Sequence, residues 1–469
     1  QLPDSLTEDF LTFFEAVKAP IAIRSSSLLE DSHYQPFAGI YNTYMIPCLD
    51  DRYQMLEMLA CAIKSVYASV YYRDSKAYMM ATSNVIDQEK MAVILQEVVG
   101  KQYDDRFYPT FSGVLRSLNY YPIGDETAEE GIASLALGLG KYIVDGGQTL
   151  RVSPFHPDQV LQTSELETAL RETQTQFYAL DMKHTGKNFK VDDGFNILKL
   201  KVKEAEKDGA IRYICSTFDP TDQVIYDGFY DGGRKIISFA GVLQQDVFPL
   251  LELLQMVMKH GAEAMKRPIE VEFACNINDD RSGELYLLQV RPIVDAKQML
   301  DEDLAKVPDE ACLLRSYNAL GHGISEVNDV VYVKYGDDFS AMNNYNVADD
   351  IERINRKFLA EGRNYVLIGP GRWGSSDHYL GVPVKWPHIS AARIIVEVAL
   401  ENYHVDPSQG THFFQNLTSL GVGYFTIDCS SGSGGFVKKG ILDAMPAVEE
   451  TQYVRHVHFE RPLKIMIDG

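Results

Sequence analysis

A short strand that ends in an arginine and runs directly into a serine-rich loop most constrains this chain. Residues 20–31 read Pro-Ile-Ala-Ile-Arg-Ser-Ser-Ser-Leu-Leu-Glu-Asp. Ile21 and Ile23 alternate with other residues, which predicts a strand ending at Arg24, and the loop continues to Thr43. An arginine beside hydroxyls and backbone N–H groups suits a polyphosphate. These residues alone equally allow a surface turn with a solvated arginine.

A second stretch, near residue 290, favours the polyphosphate interpretation. Residues 269–274 and 285–292 alternate like the two strands of a hairpin. The alternation places two polar side chains on one face of each strand, and these four are Glu270, Glu272, Gln289 and Arg291. The alternative for Glu272 and Arg291 is a cross-strand ion pair on a solvated face.

The order of the motifs resembles a known family. Arg-Ser-Ser, Glu-Asp, Phe-Ala-Gly and Thr-Tyr lie between residues 24 and 44, Leu-Gln-Glu-Val-Val at 95–99, Phe-Ser-Gly-Val at 111–114, and Glu-Phe-Ala with Leu-Gln-Val-Arg-Pro at 272–292. This series is similar to the ATP-grasp nucleotide-binding domain of the dikinases, a family that includes phosphoenolpyruvate synthase, pyruvate phosphate dikinase and the rifampin phosphotransferases. The resemblance covers residues 1–295.

The resemblance implies an α+β fold, with an ATP-grasp-like N-terminal domain of two α+β subdomains. It also implies ATP and Mg²⁺ as cofactors. Two arginines would act on the phosphates as catalytic residues, Arg24 and Arg291. The remaining implied residues are Gly39, Thr43 and Tyr44 over the phosphates, Gln96 near the adenine or ribose, Gln289 near phosphate and metal, and Glu272 as the ligand of Mg²⁺.

Several features depart from the family pattern. No Gly-Gly-Lys-Gly-like loop precedes Arg24, and Lys141 follows Gly-Leu-Gly where members often have glutamate. No histidine lies in a Thr-Cys-His-Ala-like context, which leaves His322 and His412 as candidate phosphoryl acceptors, although a lone histidine is more often structural. A pyruvate-binding barrel needs ~250 residues and does not fit in the remaining length.

Two hypotheses of function follow. The first is an ATP- and Mg²⁺-dependent phosphotransferase module with an unidentified acceptor. Because the chain starts with Gln1, we interpret it as a fragment of a longer protein. The second is a non-catalytic nucleotide-sensing or scaffolding module of a larger regulatory protein.

The charged stretch 295–308 predicts a domain boundary, so a smaller mixed α/β domain is expected over residues 296–469. Within it, residues 369–374 match GxGxxG after a predicted strand. No helix pattern or acidic partner follows, which argues against a dinucleotide site. An anion-binding or acceptor loop is one interpretation, with Arg372, Trp373, Ser375 and His378 as its residues. The other is that Trp373 and Trp386 pack in the domain core.

Composition narrows the class of protein. The net charge of −22 argues against a nucleic acid partner. Six cysteines without CxxC spacing indicate a reduced, cytoplasmic setting. No apolar run is long enough to span a bilayer, so no membrane partner is expected.

Periodicity predicts the elements around the site. Apolar spacing indicates helices over residues 4–18, 50–72, 163–182 and 246–266. The continuous apolar run 91–99 predicts a buried strand.

Overall fold

The computed structural model of the chain describes residues 3, 5–28, 30, 38–81, 89–183, 189–192, 194–293, 304, 307–336, 339–400, 403, 405, 411–428 and 435–468. The chain forms two compact units. The first comprises Gln1–Lys76, Asn84–Val144 and Gln148–Ile293, and the second comprises Ala77–Ser83, Asp145–Gly147 and Val294–Gly469. In the described part of the chain, no helix is long and apolar enough to cross a membrane.

Helices and antiparallel sheets alternate along the N-terminal part. Its helices are α1 Ser5–Ala16, α2 Arg52–Ser69, α3 Arg73–Ala81, α4 Lys141–Val144, α5 Leu166–Glu172, α6 Val202–Lys207, α7 Ala240–Leu243 and α8 Leu250–Met265. Its strands are β1 Ile21–Ser27, β2 Tyr44–Ile46, β3 Met91–Glu97, β4 Lys101–Tyr103, β5 Arg106–Tyr108, β6 Phe111–Arg116, β7 Ile132–Ala136, β8 Leu150–Val152, β9 Gln176–Asp181, β10 Ile197–Lys201, β11 Cys215–Asp219, β12 Val224–Asp227, β13 Arg234–Ile237, β14 Ile269–Ile277 and β15 Gly283–Pro292.

A five-stranded antiparallel sheet, in the order β15-β14-β6-β7-β8, lies in the main core of the first unit. Every residue of β6 and β7 is buried. Helix α8 contributes Leu250, Leu254 and Met258 to the same core, and their four-residue spacing places them on one stripe of the helix. The helix predicted over 246–266 and the hairpin predicted near 290 are both confirmed.

A smaller sheet, in the order β2-β1-β3, supports the arginine-bearing strand. Helices α1 and α2 pack with it in a second core, which confirms the helices predicted over 4–18 and 50–72. Asp51 caps α2 by accepting hydrogen bonds from the N–H groups of Tyr53 and Gln54. Strand β3 exists, but the prediction that it is buried is wrong, because its residues alternate between half-buried and exposed.

The helix predicted over 163–182 is wrong in its second half. Helix α5 ends at Glu172, and β9 follows at Gln176. In β9, Phe177 and Ala179 are buried while the strand pairs with β5 and β10. Pairing with two neighbouring strands outweighed the local helical spacing of the apolar residues, since strand preference depends on tertiary packing.

The second unit combines parallel and antiparallel strands. Its helices are α9 Asn344–Glu361, α10 Trp386–Ile389, α11 His412–Ser419 and α12 Lys439–Ala444. Its strands are β16 Leu314–Ser316, β17 Asn318–Leu320, β18 His322–Val333, β19 Tyr365–Pro370, β20 Arg372–Trp373, β21 Gly381–Val382, β22 Ala392–Ala399, β23 Gly423–Asp428, β24 Gly435–Val437, β25 Ala447–Glu450 and β26 Val454–Asp468. The main sheet has the order β17-β23-β22-β19-β18-β26-β25, and β18, β19, β22 and β23 are parallel.

A buried carboxylate connects β18 to β26 and to the start of β19. Asp329 is 2% exposed and accepts from His456 Nε2 at 2.8 Å, His458 Nδ1 at 2.9 Å and Arg363 Nη2 at 2.6 Å. Burial raises the pKa of Asp329, but the hydrogen bonds from these three side chains outweigh burial and hold the pKa below its ordinary value. The network therefore stabilises the ionised form.

We expect Asp329→Asn to lower the free energy of unfolding by on the order of 3 kcal/mol, because a buried ionic network loses its central partner. Since the pKa in the folded state is lowered, the carboxylate's contribution is fully present above pH ~4 and is lost as the pH falls through the folded pKa. Urea unfolding of the whole chain between pH 3 and pH 7 measures both effects. Asp349→Asn, at an exposed position on α9, is the control. Equal stability of the two variants would contradict the prediction.

Candidate nucleotide site

The predicted site residues of the first unit come from two sheets. In the hairpin, Glu270 faces Arg291 and Glu272 faces Gln289 across β14 and β15. A β-bulge follows Glu272, where Leu288 is the extra residue of β15. Arg24 comes from the middle of β1, in the smaller sheet.

Arg24 is the residue that joins the two sheets. Its Nη2 donates to Gln289 Oε1 and lies 3.5 Å from Glu272 Oε2. Its Nη1 donates to Gln96 Oε1 at 3.1 Å, and Gln96 Nε2 donates to the carbonyl of the bulged Leu288 at 3.3 Å. The bulge thus exposes a backbone acceptor that holds Gln96, and Gln96 in turn orients the arginine. Arg24 and Glu272 side chains are both 19% exposed, so the pair is accessible at its edge.

Arg291 lies deeper than Arg24. Its side chain is 7% exposed, and its Nη2 is 3.9 Å from Glu30 Oε1, which is an ion pair without a short hydrogen bond. Its Nε and Nη1 are buried and have no hydrogen-bond partner among the residues that the structure describes. Buried guanidinium N–H groups without acceptors are costly, so this side chain has capacity for an anion.

Glu30 is a site residue to which the sequence analysis assigned no role. Ser25 Oγ donates to Glu30 Oε2 at 2.5 Å, and the Glu30 N–H donates to Ser27 Oγ at 3.0 Å. These contacts fold the serine-rich loop back onto β1 and bring a carboxylate towards Arg291. The signal was present in the Glu-Asp motif, but alternation along a strand does not predict a turn of this kind.

The loop residues predicted over the phosphates have different environments. Gly39 has φ 63°, in the left-handed region that favours glycine, and Thr43 is half-buried. Tyr44 is 1% exposed, its ring packs 5.3 Å from that of Phe189, and its hydroxyl accepts from Asn42. Residues 31–37 of the predicted loop lie outside the described residues.

A second ion pair lies behind the site. Arg116 Nε donates to Glu270 Oε2 at 2.6 Å, and the two side chains are 2% and 5% exposed. Glu270 and Glu272 share one face of β14, yet only Glu272 contacts Arg24 in the salt bridges of this hairpin. Alternation therefore predicted the shared face, while the neighbouring strand β6 decided which carboxylate is structural.

The residues of the predicted acceptor loop belong to the second unit. Trp373 is 1% exposed and its Nε1 donates to the Val396 carbonyl, which supports the interpretation that it packs in the core. Arg372 Nη1 donates to the carbonyls of Gly146 and Gly147. Ser375 Oγ also donates to the Gly146 carbonyl.

The other candidates of the second unit lie apart from this loop or at its edge. His378 stacks between two tyrosines, Tyr345 at 4.9 Å and Tyr379 at 4.0 Å. His322 and His412 are the first residues of β18 and α11. Strand β20 follows the GxGxxG segment where a dinucleotide site requires a helix, which confirms the argument against such a site.

The match to known sequences decides the family. The pyruvate phosphate dikinase AMP/ATP-binding domain matches residues 1–310. The chain belongs to this family. The resemblance inferred from the motifs is therefore confirmed, and the N-terminal part is an AMP/ATP-binding domain.

Two curated relatives of this domain match part of the chain. A phosphoenolpyruvate synthase from Aeropyrum pernix is 24% identical over 295 residues, which are 62% of this chain and 30% of that enzyme. A Bacillus subtilis protein named uncharacterized phosphotransferase YvkC is 28% identical over 149 residues, which are 32% of this chain and 16% of that protein. The chain thus covers less than a third of either relative.

Proposed function

We propose that the AMP/ATP-binding domain holds ATP with Mg²⁺ in an ATP-grasp cleft and transfers a phosphoryl group to an unidentified acceptor. The observation that carries the proposal is Arg291, whose buried Nε and Nη1 have no hydrogen-bond partner in the described part of the chain. A phosphate presents several acceptor oxygens and forms charge-assisted hydrogen bonds with a guanidinium. The site thus fits an anion better than it fits its present protein partners.

The donor set around Glu272 fits a hard cation held partly by the nucleotide. Glu272 and Gln289 supply oxygen atoms at directly opposed positions of the hairpin. Among the described residues, no group of three or more His, Cys, Asp or Glu side chains is arranged to hold a metal. When bound, Mg²⁺ supplies positive charge to the phosphate oxygens, and proteins often hold it with one or two side chains plus phosphate.

Arg24 would exchange partners when nucleotide binds. Its hydrogen bond to Gln289 Oε1 occupies the oxygen that a metal would use. In the proposal, Arg24 releases this oxygen and donates to a phosphate, while Gln96 keeps the other side of the guanidinium in place. Phosphoryl transfer requires little covalent chemistry from the protein, so two oriented arginines contribute by stabilising the charge on the transferring group.

Titration of the protein with ATP, with and without Mg²⁺, tests the proposal, followed by assays for ADP, AMP and phosphate. We expect saturable binding that Mg²⁺ strengthens, and slow turnover. Absence of heat and of a thermal shift would overturn the nucleotide site. Binding without any turnover is the result expected of a nucleotide-sensing module and would contradict the transfer step.

Glu272→Gln separates the role of the metal from that of the arginines. We expect the Mg²⁺ concentration needed for half-maximal ATP turnover to rise roughly 10- to 100-fold, because the amide removes the negative charge that holds the metal. Glu284→Gln on the same hairpin is the matched control, since its carboxylate is exposed and accepts from the Tyr286 hydroxyl. An unchanged Mg²⁺ dependence in the Glu272 variant would assign this carboxylate to orienting Arg24 alone.

A further inference from the structure

The second unit contains a cavity that none of the residues discussed above uses. It measures about 450 Å³ and lies between one face of the main sheet and the segment 307–316. Four neighbouring strands, β18, β19, β22 and β23, contribute its apolar floor. The floor residues are Val330, Val366, Ile368, Ile394 and Phe425.

Strand register explains the depth of this cavity. Val330 on β18 pairs with Val366 on β19, and Val366 pairs with Ile394 on β22, so the three side chains form one row across the sheet. Two of the three are valines, whose short side chains fill less height above the sheet than leucine or phenylalanine. The row belongs to the apolar core of the second unit, and all three residues are buried.

The segment above the floor is held in place by its own polar contacts. Arg315 donates to the carbonyls of Leu304 and Val307, and its Nε lies 2.7 Å from Asp309 Oδ1. Lys438 Nζ donates to the carbonyls of Asp309 and Glu310 at 2.6 and 3.1 Å. Because these contacts fix the segment at several points, it does not have to collapse onto the sheet to satisfy its backbone.

The charges around the cavity select the ligand. Arg315 and Lys464 both line it, and no carboxylate is among its lining residues, although the chain carries a net charge of −22. Lys464 lies on β26 and is exposed, so a cation marks the edge of an otherwise apolar space. Its volume falls within the range of small-molecule sites, about 300–1,000 Å³.

We propose that this cavity binds a small molecule with an apolar body and one acidic group, such as a medium-chain carboxylate. The apolar body would lie over the valine row, and the acidic group would face Lys464. This site is independent of the nucleotide site, and it gives the second unit a ligand-binding role of its own.

Calorimetric titration of the whole chain with decanoate, and with the uncharged decanol, tests the proposal. We expect saturable decanoate binding, weaker decanol binding, and roughly two- to fivefold weaker decanoate binding in Lys464→Gln, because one partly exposed ion pair is lost. Lys259→Gln, at an exposed position on α8, should bind like the wild type. Val366→Phe fills the floor and should abolish binding. Non-saturable decanoate binding, or equal affinity for decanol, would overturn the proposal.

A second measurement does not depend on the folding of a core variant. Cys312 lines the cavity and is half-buried, while Cys48 is a half-buried thiol of the first unit. Alkylation by iodoacetamide, followed by peptide mapping of the wild-type protein, should slow at Cys312 when decanoate is added and stay constant at Cys48. Equal alkylation rates at Cys312 with and without decanoate would place the ligand elsewhere and overturn the assignment.

Discussion

Replacing Arg291 by alanine should weaken ATP binding by on the order of a hundredfold. A hydrogen bond to a charged group contributes roughly 1.5–3 kcal/mol, and this side chain offers two buried N–H-bearing atoms, Nε and Nη1, without a partner in the described chain. Arg291→Lys keeps the charge but loses the planar fork, so we expect an intermediate loss. Calorimetry at fixed ionic strength measures the affinity, because phosphate contacts weaken with salt.

The control for this prediction is Arg212→Ala, which removes an exposed arginine of the same unit. It should leave ATP affinity unchanged within error, and thermal unfolding of each variant shows whether the unit is still folded. If a folded Arg291→Ala protein bound ATP like the wild type, the phosphates would have to lie elsewhere in the unit. The role assigned to the hairpin arginine would then be wrong.

Breaking the ion pair behind the site should cost more stability than any other single change considered for the first unit. Glu270→Gln removes the negative charge that faces Arg116 at 2.6 Å, where both side chains are almost fully buried. Loss of one partner of a buried pair typically costs 3–5 kcal/mol, because the remaining charge stays in a medium of low polarity. Urea unfolding followed by tyrosine fluorescence and circular dichroism measures this loss.

The double variant Glu270→Leu with Arg116→Met is the test of this reasoning. Replacing both charges by apolar side chains of similar volume should recover most of the lost stability, since no unpaired charge remains. If the double variant were as unstable as Glu270→Gln, then packing rather than charge would be responsible. ATP affinity should change little in the double variant, because neither side chain belongs to the proposed phosphate contacts.

Local patterns predicted the hairpin well and the surrounding burial poorly. Residues 269–292 form the expected strands, and Glu272 faces Gln289 as alternation required. The apolar run 91–99 was interpreted as buried, yet Ile94 on β3 is 48% exposed. An apolar run shows that a strand can be buried on both faces, but only the packing of other elements decides whether it is covered.

The sequence by itself determined the family, the hairpin and the chemical types of the site residues, because periodicity and motif spacing are properties of neighbouring residues. The tertiary structure decided which of them meet. Arg24 reaches Gln289 across 265 positions of sequence, and the bulge at Leu288 supplies the acceptor that orients Gln96 beside it. It also decided that Glu270 is held by Arg116 while Glu272 faces Arg24. Contacts between two sheets depend on how whole layers pack, and strand alternation carries no information about that packing.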